Sequence, residues 1–392
     1  MSCLLRQRLD NATYKDTAMS NEDLYRKLQQ HLDRMPIGFP ASKSGVEIKI
    51  LMRLFTPEEA ELTLELSALP EPAKAIHKRV KAKMTLPELT KKLDQLSDKG
   101  LIHRLPIAAE PLYGKMIFAV GIYEHQVHRL TPEFERESQQ YLDEAFGDAF
   151  HSKKTTQMRI VPVNRNIPVE HNITSYDDLR AYVESSSGPF GRMTCICRHG
   201  KELLGHKCKQ TDLLDNCLTF GLGAKLMADQ GAARLIPREE MLELVNAADK
   251  EGLVLQPENT KNPLFVCCCC GCCCNVLNSA KKYPRPAEYF SSNFYAEVDR
   301  EACSACGVCE VRCQMDAISM KDDKADVEST RCIGCGLCVT TCSSGALRLH
   351  KKESGKTLPN DTQALYGKLM LERYGPWGMA KIAALKLLGK KI

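Results

Sequence analysis

The sequence contains no cysteine between Cys3 and Cys195, although the chain holds 20 cysteines in 392 residues. Residues 4–194 therefore cannot form a thiolate metal site or a disulfide framework. No apolar run reaches the ~20 residues that a membrane-spanning helix needs. Residues 1–10 also lack the apolar core of a secretory signal. No Gly-x-Gly-x-x-Gly follows a predicted strand, so a dinucleotide-binding loop is not expected.

The composition indicates a multidomain protein of a reducing compartment. A chain of 392 residues exceeds the usual size of one domain. Its net charge of +5 is mild and does not by itself indicate nucleic-acid binding. Many cysteines without an export signal favour the cytoplasm, where thiols stay reduced. We expect a cytoplasmic protein.

A cysteine frame occurs twice between residues 303 and 342. The first copy has the spacing x2-x2-x3 over Cys303, Cys306, Cys309 and Cys313, and the second repeats it over Cys332, Cys335, Cys338 and Cys342. At the offset of 29 residues, glycine and alanine positions also coincide, as Gly307 does with Gly336. Such a repeat predicts two copies of one small unit related by a pseudo-twofold axis.

This spacing is typical of bacterial iron–sulfur proteins, in which the fourth cysteine of each run binds the other cluster. We therefore predict two [4Fe-4S] clusters. The expected ligands of the first are Cys303, Cys306, Cys309 and Cys342. The expected ligands of the second are Cys332, Cys335, Cys338 and Cys313. Zinc sites and disulfides are the alternatives, but zinc sites usually use separate two-cysteine knuckles.

Residues 295–350 resemble the dicluster ferredoxins. The resemblance implies a small ferredoxin-like module that passes single electrons. The chain departs from the usual pattern in one feature. In dicluster ferredoxins a proline usually follows the fourth cysteine, whereas here Gln314 follows Cys313 and Ser343 follows Cys342. Proline supplies no ligand, so the departure concerns the reduction potential rather than ligation.

The front half predicts three helices followed by a hairpin. Helices are expected from Thr56 to Leu69, over residues 73–83, and from Thr85 to Gly100, where Thr56 and Thr85 are caps followed by proline and acids. Apolar segments at 101–107 and 116–122 flank a Pro-Leu-Tyr-Gly turn. This order resembles the winged helix of MarR-like DNA-binding regulators.

DNA binding is the less favoured interpretation of this region. Residues 74–104 contain nine Lys/Arg against three acids. However, the predicted recognition helix carries Lys91, Lys92 and Lys99 without an arginine that could contact guanine through two hydrogen bonds. We expect a docking or dimerisation surface instead.

The middle of the chain has a second concentration of cysteines. Scattered residues precede a strap at 267–274, in which seven of eight residues are cysteine. Neighbouring side chains of an extended strap face opposite ways, so the strap can give only a subset to one metal. We predict a third centre, either iron–sulfur or zinc, and the alternative is that these cysteines are small buried residues. Its candidate ligands are Cys195, Cys197, Cys208, Cys217, Cys269, Cys270 and Cys273.

The whole chain resembles a family of iron–sulfur proteins from anaerobic bacteria. The match lies in Gly121-Ile-Tyr-Glu124, Cys195-Ile-Cys-Arg198, Cys208, Cys217, the strap and the eight ferredoxin cysteines. This resemblance implies redox work and leaves the substrate open.

The predicted fold class is α+β with several domains. We expect a winged-helix-like domain with a following helix at 20–150, a Cys-rich α-helical domain at 151–290, a dicluster ferredoxin domain at 291–350 and a helical tail at 351–392. The tail should break at Gly375-Pro376. Its basic, amphipathic end from Trp377 to Lys391 suits packing on protein, with peripheral membrane contact as the alternative.

The leading functional hypothesis is an electron-transfer protein, or the electron-transfer subunit of an anaerobic oxidoreductase complex. Its expected partner is a ferredoxin, a flavoprotein, a hydrogenase or a reductase subunit. One alternative is a redox-sensing winged-helix regulator that binds DNA. Another is a reductase with its own active site among the cysteines at 195–274.

Overall fold

The computed structural model describes residues 20–106, 109–163, 177–353 and 357–391. Helices and strands both contribute to the described chain, which confirms the α+β class. The helices, in chain order, are α1 (Asn21–Leu32), α2 (Val46–Leu54), α3 (Pro57–Thr63), α4 (Ala73–Val80), α5 (Leu86–Asp98), α6 (Pro132–Tyr141), α7 (Gly147–His151), α8 (Leu179–Ser185), α9 (Ile196–Leu203), α10 (Gly221–Asp229), α11 (Arg238–Lys250), α12 (Asn275–Lys281), α13 (Val308–Arg312) and α14 (Thr362–Leu387).

The strands form four antiparallel sheets in the described part of the chain. They are β1 (Glu71–Pro72), β2 (Ile102–Leu105), β3 (Leu112–Lys115), β4 (Phe190–Met193), β5 (Cys217–Phe220), β6 (Arg234–Ile236), β7 (Val254–Pro257), β8 (Phe265–Cys269), β9 (Phe294–Val298), β10 (Ile318–Lys321), β11 (Lys324–Val327) and β12 (Leu347–Lys351). Their orders are β1-β3-β2, β6-β4-β5-β8-β7, β12-β9 and β10-β11.

The predicted helix starts at Thr56 and Thr85 are confirmed. Each threonine forms a reciprocal capping box, with Glu59 at the start of α3 and with Glu88 at the start of α5. The caps satisfy backbone N–H groups that no helical carbonyl can reach. The start of each helix can therefore be predicted from the sequence.

The second strand of the predicted hairpin was placed too late in the chain. It is β3 at 112–115, within the predicted turn, while residues 118–122 are irregular. The buried Tyr113, whose hydroxyl donates to Asp94 at 2.8 Å, holds this segment in the sheet. Burial of the ring thus outweighed the local Pro and Gly turn signal. Ile107, the last residue of the first predicted segment, lies outside the described residues.

The middle region is not the α-helical domain that we predicted. Five helices, α8 to α12, accompany a five-stranded antiparallel sheet. The strap enters this sheet as β8, in which Val266 and Cys268 occupy one face and Cys267 and Cys269 the other. Cysteine behaves here as a small apolar strand residue, which the prediction treated only as a ligand.

The tail helix α14 breaks at Gly375, as predicted, where φ is 66°. Its first half packs against the body, since Glu372 accepts from the Thr155 hydroxyl at 2.6 Å and Arg373 donates to the Met35 carbonyl at 2.7 Å. Trp377, in the second half, is 89% exposed. No described helix has both the length and the apolar character that crossing a membrane requires.

Candidate metal centres

The segment from 294 to 351 has the pseudo-twofold symmetry that the repeat predicts. Adding 29 to the bounds of β10 gives 347–350, within β12, and the same shift brings β9 onto β11. The first strand of each copy pairs with the last strand of the other, in β9-β12 and β11-β10. The two copies are therefore interlocked.

Hydrogen bonds to sulfur follow the same symmetry. The Ala325 N–H donates to the Cys303 Sγ at 3.5 Å, and the Ala296 N–H donates to the Cys332 Sγ at 3.4 Å. Ala325 lies 29 residues after Ala296, and Cys332 lies 29 residues after Cys303, so the two hydrogen bonds are symmetry counterparts. Such donors stabilise a thiolate and tune any metal bound to it.

The first predicted set of ligands lines one cavity. Its walls include Cys303, Cys306, Cys309 and Cys342. The set mixes three cysteines of the first copy with the fourth cysteine of the second. Gly307 has φ of 71°, a conformation that lets the loop turn tightly between its cysteines.

The second predicted set also comes together, at a deeper position. Burial, with the nearby thiols of Cys313 and Cys332, raises the pKa of Cys335 to about 12. Burial and the same neighbours raise the pKa of Cys338. Such thiols stay protonated at neutral pH unless a cation binds them. An all-cysteine donor set with N–H···S bonds thus fits an iron–sulfur cluster at both points.

The two sets differ in exposure. Cys306 of the first set is exposed. The second set is covered by the middle region, where the Val163 N–H donates to the Cys335 carbonyl at 3.0 Å. The next residue, Gly336, has φ of 76°, a backbone conformation that favours glycine at this turn. One set thus faces solvent and the other faces the thiol-rich middle.

Four cysteines of the middle region form a compact cluster, here named the tetrathiol group: Cys208, Cys270, Cys272 and Cys273. Their four Sγ atoms all lie within 4.8 Å of one another. The Cys208 Sγ lies 3.6 Å from those of Cys270 and Cys272, and the latter lies 3.6 Å from Cys273. The turn at Gly271 brings the three strap residues to the same side.

Six further cysteines form a looser series, here named the hexathiol group: Cys195, Cys197, Cys274, Cys269, Cys267 and Cys217. Cys217 and Cys267 are cross-strand partners in β5 and β8. Hydrogen bonds with Cys217 and Cys269, with burial, raise the pKa of Cys267.

Contacts continue from Cys269 to the other end of the series. Hydrogen bonds with Cys267 and Cys274 lower the pKa of Cys269 to about 6. Cys274 also hydrogen-bonds with Cys197. A hydrogen bond with Cys197 and burial raise the pKa of Cys195.

The structure divides the seven candidate ligands of the third centre between these groups. Cys208, Cys270 and Cys273 belong to the tetrathiol group. Cys195, Cys197, Cys217 and Cys269 belong to the hexathiol group. Sequence reasoning missed Cys272 in the first group, and Cys267 and Cys274 in the second. The Cys-Gly-Cys-Cys turn at 270–273 was the available signal for Cys272, because a glycine turn can direct neighbouring side chains to one point.

Arg198 lies buried between the two groups. Its guanidinium donates to the carbonyls of Leu213, at 2.7 Å, and Cys268. Burial alone would lower the pKa of Arg198, but the thiols of Cys195 and Cys270 raise it. A buried cation is stabilised by anionic neighbours, so thiolates at Cys195 and Cys270 would stabilise the Arg198 guanidinium.

Gln314 joins the ferredoxin-like segment to the tetrathiol group. Its Oε1 accepts from the Gly271 N–H at 2.6 Å, and its Nε2 donates to Gln210 at 3.0 Å. A Cβ on Gly271 would lie 2.4 Å from the Gln314 carbonyl oxygen, so only glycine allows this approach. The residue that replaces the usual proline after Cys313 thus contacts the strap directly.

A polar cluster adjoins the hexathiol group at Cys197. The buried Tyr123 hydroxyl donates to Glu135 at 2.6 Å, and Gln139 connects Glu135 to Asn275, the residue after Cys274. Burial raises the pKa of Glu135. The thiol of Cys197 is among the groups that raise the pKa of Tyr123, after burial and Glu135 itself. The polar cluster therefore places a hydroxyl and a carboxyl near the Cys197 sulfur.

Comparison with known proteins agrees with the geometry of the interlocked segment. Residues 302–346 match the family model described as the 4Fe-4S dicluster domain. No curated protein and no solved structure matches the chain. The match supports an iron–sulfur electron-transfer role for this segment.

Proposed function

We propose that the chain passes single electrons through two [4Fe-4S] clusters toward the thiol-rich middle region. The observation that supports this proposal is the pseudo-symmetric gathering of two four-cysteine sets, each made of three cysteines from one copy and one from the other. The first cluster is held by Cys303, Cys306, Cys309 and Cys342. The second is held by Cys332, Cys335, Cys338 and Cys313.

The chain sets the redox properties of these sites. When bound, each cluster supplies a one-electron couple. The N–H groups of Ala325 and Ala296 donate to ligand sulfurs, which stabilises added negative charge and favours reduction. Deeper burial of Cys335 and Cys338 opposes added charge at the second site. The two sites should therefore differ in potential.

Exposure gives the path a direction. Cys306 faces solvent, where a partner redox protein can approach the first cluster. The second cluster lies against residue 163 and, through Gln314, against the strap. We infer that electrons enter at the first cluster from a ferredoxin, a flavoprotein, a hydrogenase or a reductase subunit, and leave through the second.

The destination in this proposal is a further iron–sulfur centre in the hexathiol group. Its sulfurs form a series along two strands and the starts of two helices, whereas the tetrathiol group is one compact cluster. A polynuclear cluster suits such spacing, because each thiolate binds a different iron. The adjacent Tyr123 and Glu135 can supply a proton when the centre is reduced.

Metal analysis and EPR of anaerobically purified protein test this proposal. We expect clearly more than about eight irons with matching sulfide, because two cubanes hold eight and the hexathiol centre adds to them, and two interacting ferredoxin signals after reduction. Cys306→Ser should remove the first signal and slow reduction by a reduced ferredoxin. The matched control Cys268→Ser, on the other face of β8, should leave both signals and the rate unchanged. Zinc in place of iron at the ferredoxin cysteines would contradict the proposal.

A reductase with its own active site at 195–274 is the second candidate, favoured by the Tyr123–Glu135 pair beside Cys197. Replacing Cys269 would then abolish substrate turnover while both ferredoxin signals persist. Unchanged turnover in that variant would assign the strap a structural role.

The structure gives less support to the DNA-binding alternative. Lys92 and Lys99 pair with Glu58 and Glu59 of α3, at 3.2 and 2.6 Å. The end of α5 also contacts the middle region, where Gln230 donates to the Ser97 carbonyl at 3.0 Å. These contacts favour docking. Salt-sensitive binding of genomic DNA fragments by the cluster-loaded protein would reverse this preference.

A further inference from the structure

We propose that the tetrathiol group is a mononuclear metal site that binds one divalent transition metal, zinc or iron(II), through Cys208, Cys270, Cys272 and Cys273. This inference concerns a different site from the ferredoxin cysteines and does not depend on electron transfer. It makes the protein a carrier of two kinds of metal centre.

The spacing of the sulfurs carries the proposal. Thiolates bound at about 2.3 Å to one tetrahedral metal lie about 3.8 Å apart. Three of the Sγ–Sγ distances in the group are 3.6 Å, and every pair is within 4.8 Å. In a cubane the thiolates lie farther apart, since each binds a different iron.

The ferredoxin cysteines provide an internal comparison. Among the described residues, only the tetrathiol group brings three or more possible ligands within 4.8 Å of one another. The sets that surround the predicted cubanes are wider. The chain thus contains one compact group of sulfurs and two more widely spaced sets. Only the compact group has the sulfur spacing that a single metal ion requires.

Disulfide formation does not explain the arrangement. The sulfurs stand 3.6 Å apart, whereas a disulfide bond is about 2.05 Å long. The four residues are also supplied by two distant segments, since Cys208 is separated from Cys270 by 62 residues. A metal that binds all four would fasten the loop at 208 to the strap.

The charge around the group fits a divalent ion. Four thiolates and one divalent metal carry a net charge of about −2. Arg198 is 1% exposed, and apart from its bond with Cys270 its described hydrogen bonds reach only neutral carbonyl oxygens. Its Nε has no hydrogen-bond partner among the described residues. The guanidinium is therefore placed to offset part of the negative charge of the metal–thiolate centre.

The scaffold around the site is also built for close approach. Gly271 lies in the turn between the first and second strap ligands and touches the Gln314 backbone, which excludes a side chain there. Gln314 holds the Gly271 amide and Gln210, two residues after Cys208. One side chain thus fixes both segments that supply the ligands.

The test counts the metal lost when one ligand is removed from the anaerobically purified full chain. Cys272→Ser should lose about one equivalent of metal relative to the unaltered chain, with the ferredoxin EPR signals intact. Cys268→Ser, in the same strap but outside the group, should lose none. If the lost ion is zinc, X-ray absorption at the zinc edge of the unaltered protein should show four sulfurs at about 2.3 Å. If it is iron, the loss should be one iron without loss of sulfide.

Three outcomes would overturn the proposal. The first is a loss of several irons with sulfide, which would place a polynuclear cluster at the group. The second is an unchanged metal content, and the third is a disulfide among the four residues found by mass spectrometry. Should Cys272→Ser fail to fold, the absorption spectrum of the unaltered chain and the variant Cys208→Ser decide the matter. Failure of the ferredoxin proposal would appear separately, in the EPR signals.

Discussion

At the scale of single residues, the same side chain serves three kinds of site in this chain. Cysteines spaced along glycine-containing turns form the two widely spaced ferredoxin-like sets. Cysteines in a compact turn form the tetrathiol group, and cysteines on one face of a strand belong to the hexathiol group. Backbone conformation decides which role each takes, because it sets the direction and separation of the sulfurs.

Gly271 offers the sharpest test of this dependence. In Gly271→Ala the new methyl group would lie 2.4 Å from the Gln314 carbonyl oxygen, so the strap must move. We expect a loss of about 1–3 kcal/mol in the free energy of unfolding, with reduced metal binding at the tetrathiol group. Thermal denaturation and metal analysis under anaerobic conditions measure both effects.

Gly367 provides the matched control. It lies within α14, and a Cβ there would meet no atom within 4 Å. Gly367→Ala should stabilise the protein by about 0.5–1 kcal/mol, since alanine is the better helix former. Equal effects of the two substitutions would refute the role assigned to close contact at 271.

At the scale of elements, the junction between the ferredoxin-like segment and the strap depends on Gln314. This side chain is 5% exposed and joins three segments that are far apart in sequence. The usual proline could not form these hydrogen bonds. The glutamine after Cys313 thus has a role outside the ferredoxin-like segment, in its contact with the strap and Gln210.

Substitution of Gln314 should uncouple the two parts. Gln314→Leu removes the acceptor for the Gly271 N–H and the donor to Gln210. The free energy of unfolding should therefore fall by about 1–3 kcal/mol. Gln314→Glu keeps the acceptor and should be milder. We expect metal loss at the tetrathiol group with retained ferredoxin EPR signals. Loss of those signals instead would place the main role of Gln314 at the Cys313 turn.

At the scale of the whole molecule, a buried carboxyl connects the tail to the middle region. Glu258 accepts from the Leu264 N–H at 3.2 Å and from the Thr362 hydroxyl, at the start of α14, at 2.9 Å. Burial raises the pKa of Glu258 from 4.5 to about 7. The folded protein therefore retains a proton that the unfolded chain releases between these pH values.

This retained proton predicts how stability changes with pH. The stabilisation is complete below pH 4.5 and is lost as the pH rises through about 7, by about 3 kcal/mol at most. Glu258→Gln cannot ionise, so its melting temperature should fall less between pH 5 and pH 8. Glu301→Gln, at an exposed position, is the control and should follow the unaltered protein. Parallel curves for all three proteins would contradict the prediction.

Features that depend on neighbouring residues were predictable. The caps at Thr56 and Thr85 and the break at Gly375 involve only nearby backbone groups, so the sequence displays them directly. The five-stranded sheet was not predictable in this way. Its strand register depends on partners distant in the chain, and cysteine in β8 resembled a ligand rather than a strand residue.

The sequence by itself determined the ferredoxin-like repeat. Its eight cysteines at fixed local spacing lie in two glycine-turn loops that are symmetry counterparts of each other. Only the tertiary structure decided how the middle cysteines combine. Strand register places Cys217 opposite Cys267, and the turn at Gly271 meets the loop of Cys208. No local spacing encodes these meetings, since each depends on packing between segments that lie some 50 to 60 residues apart.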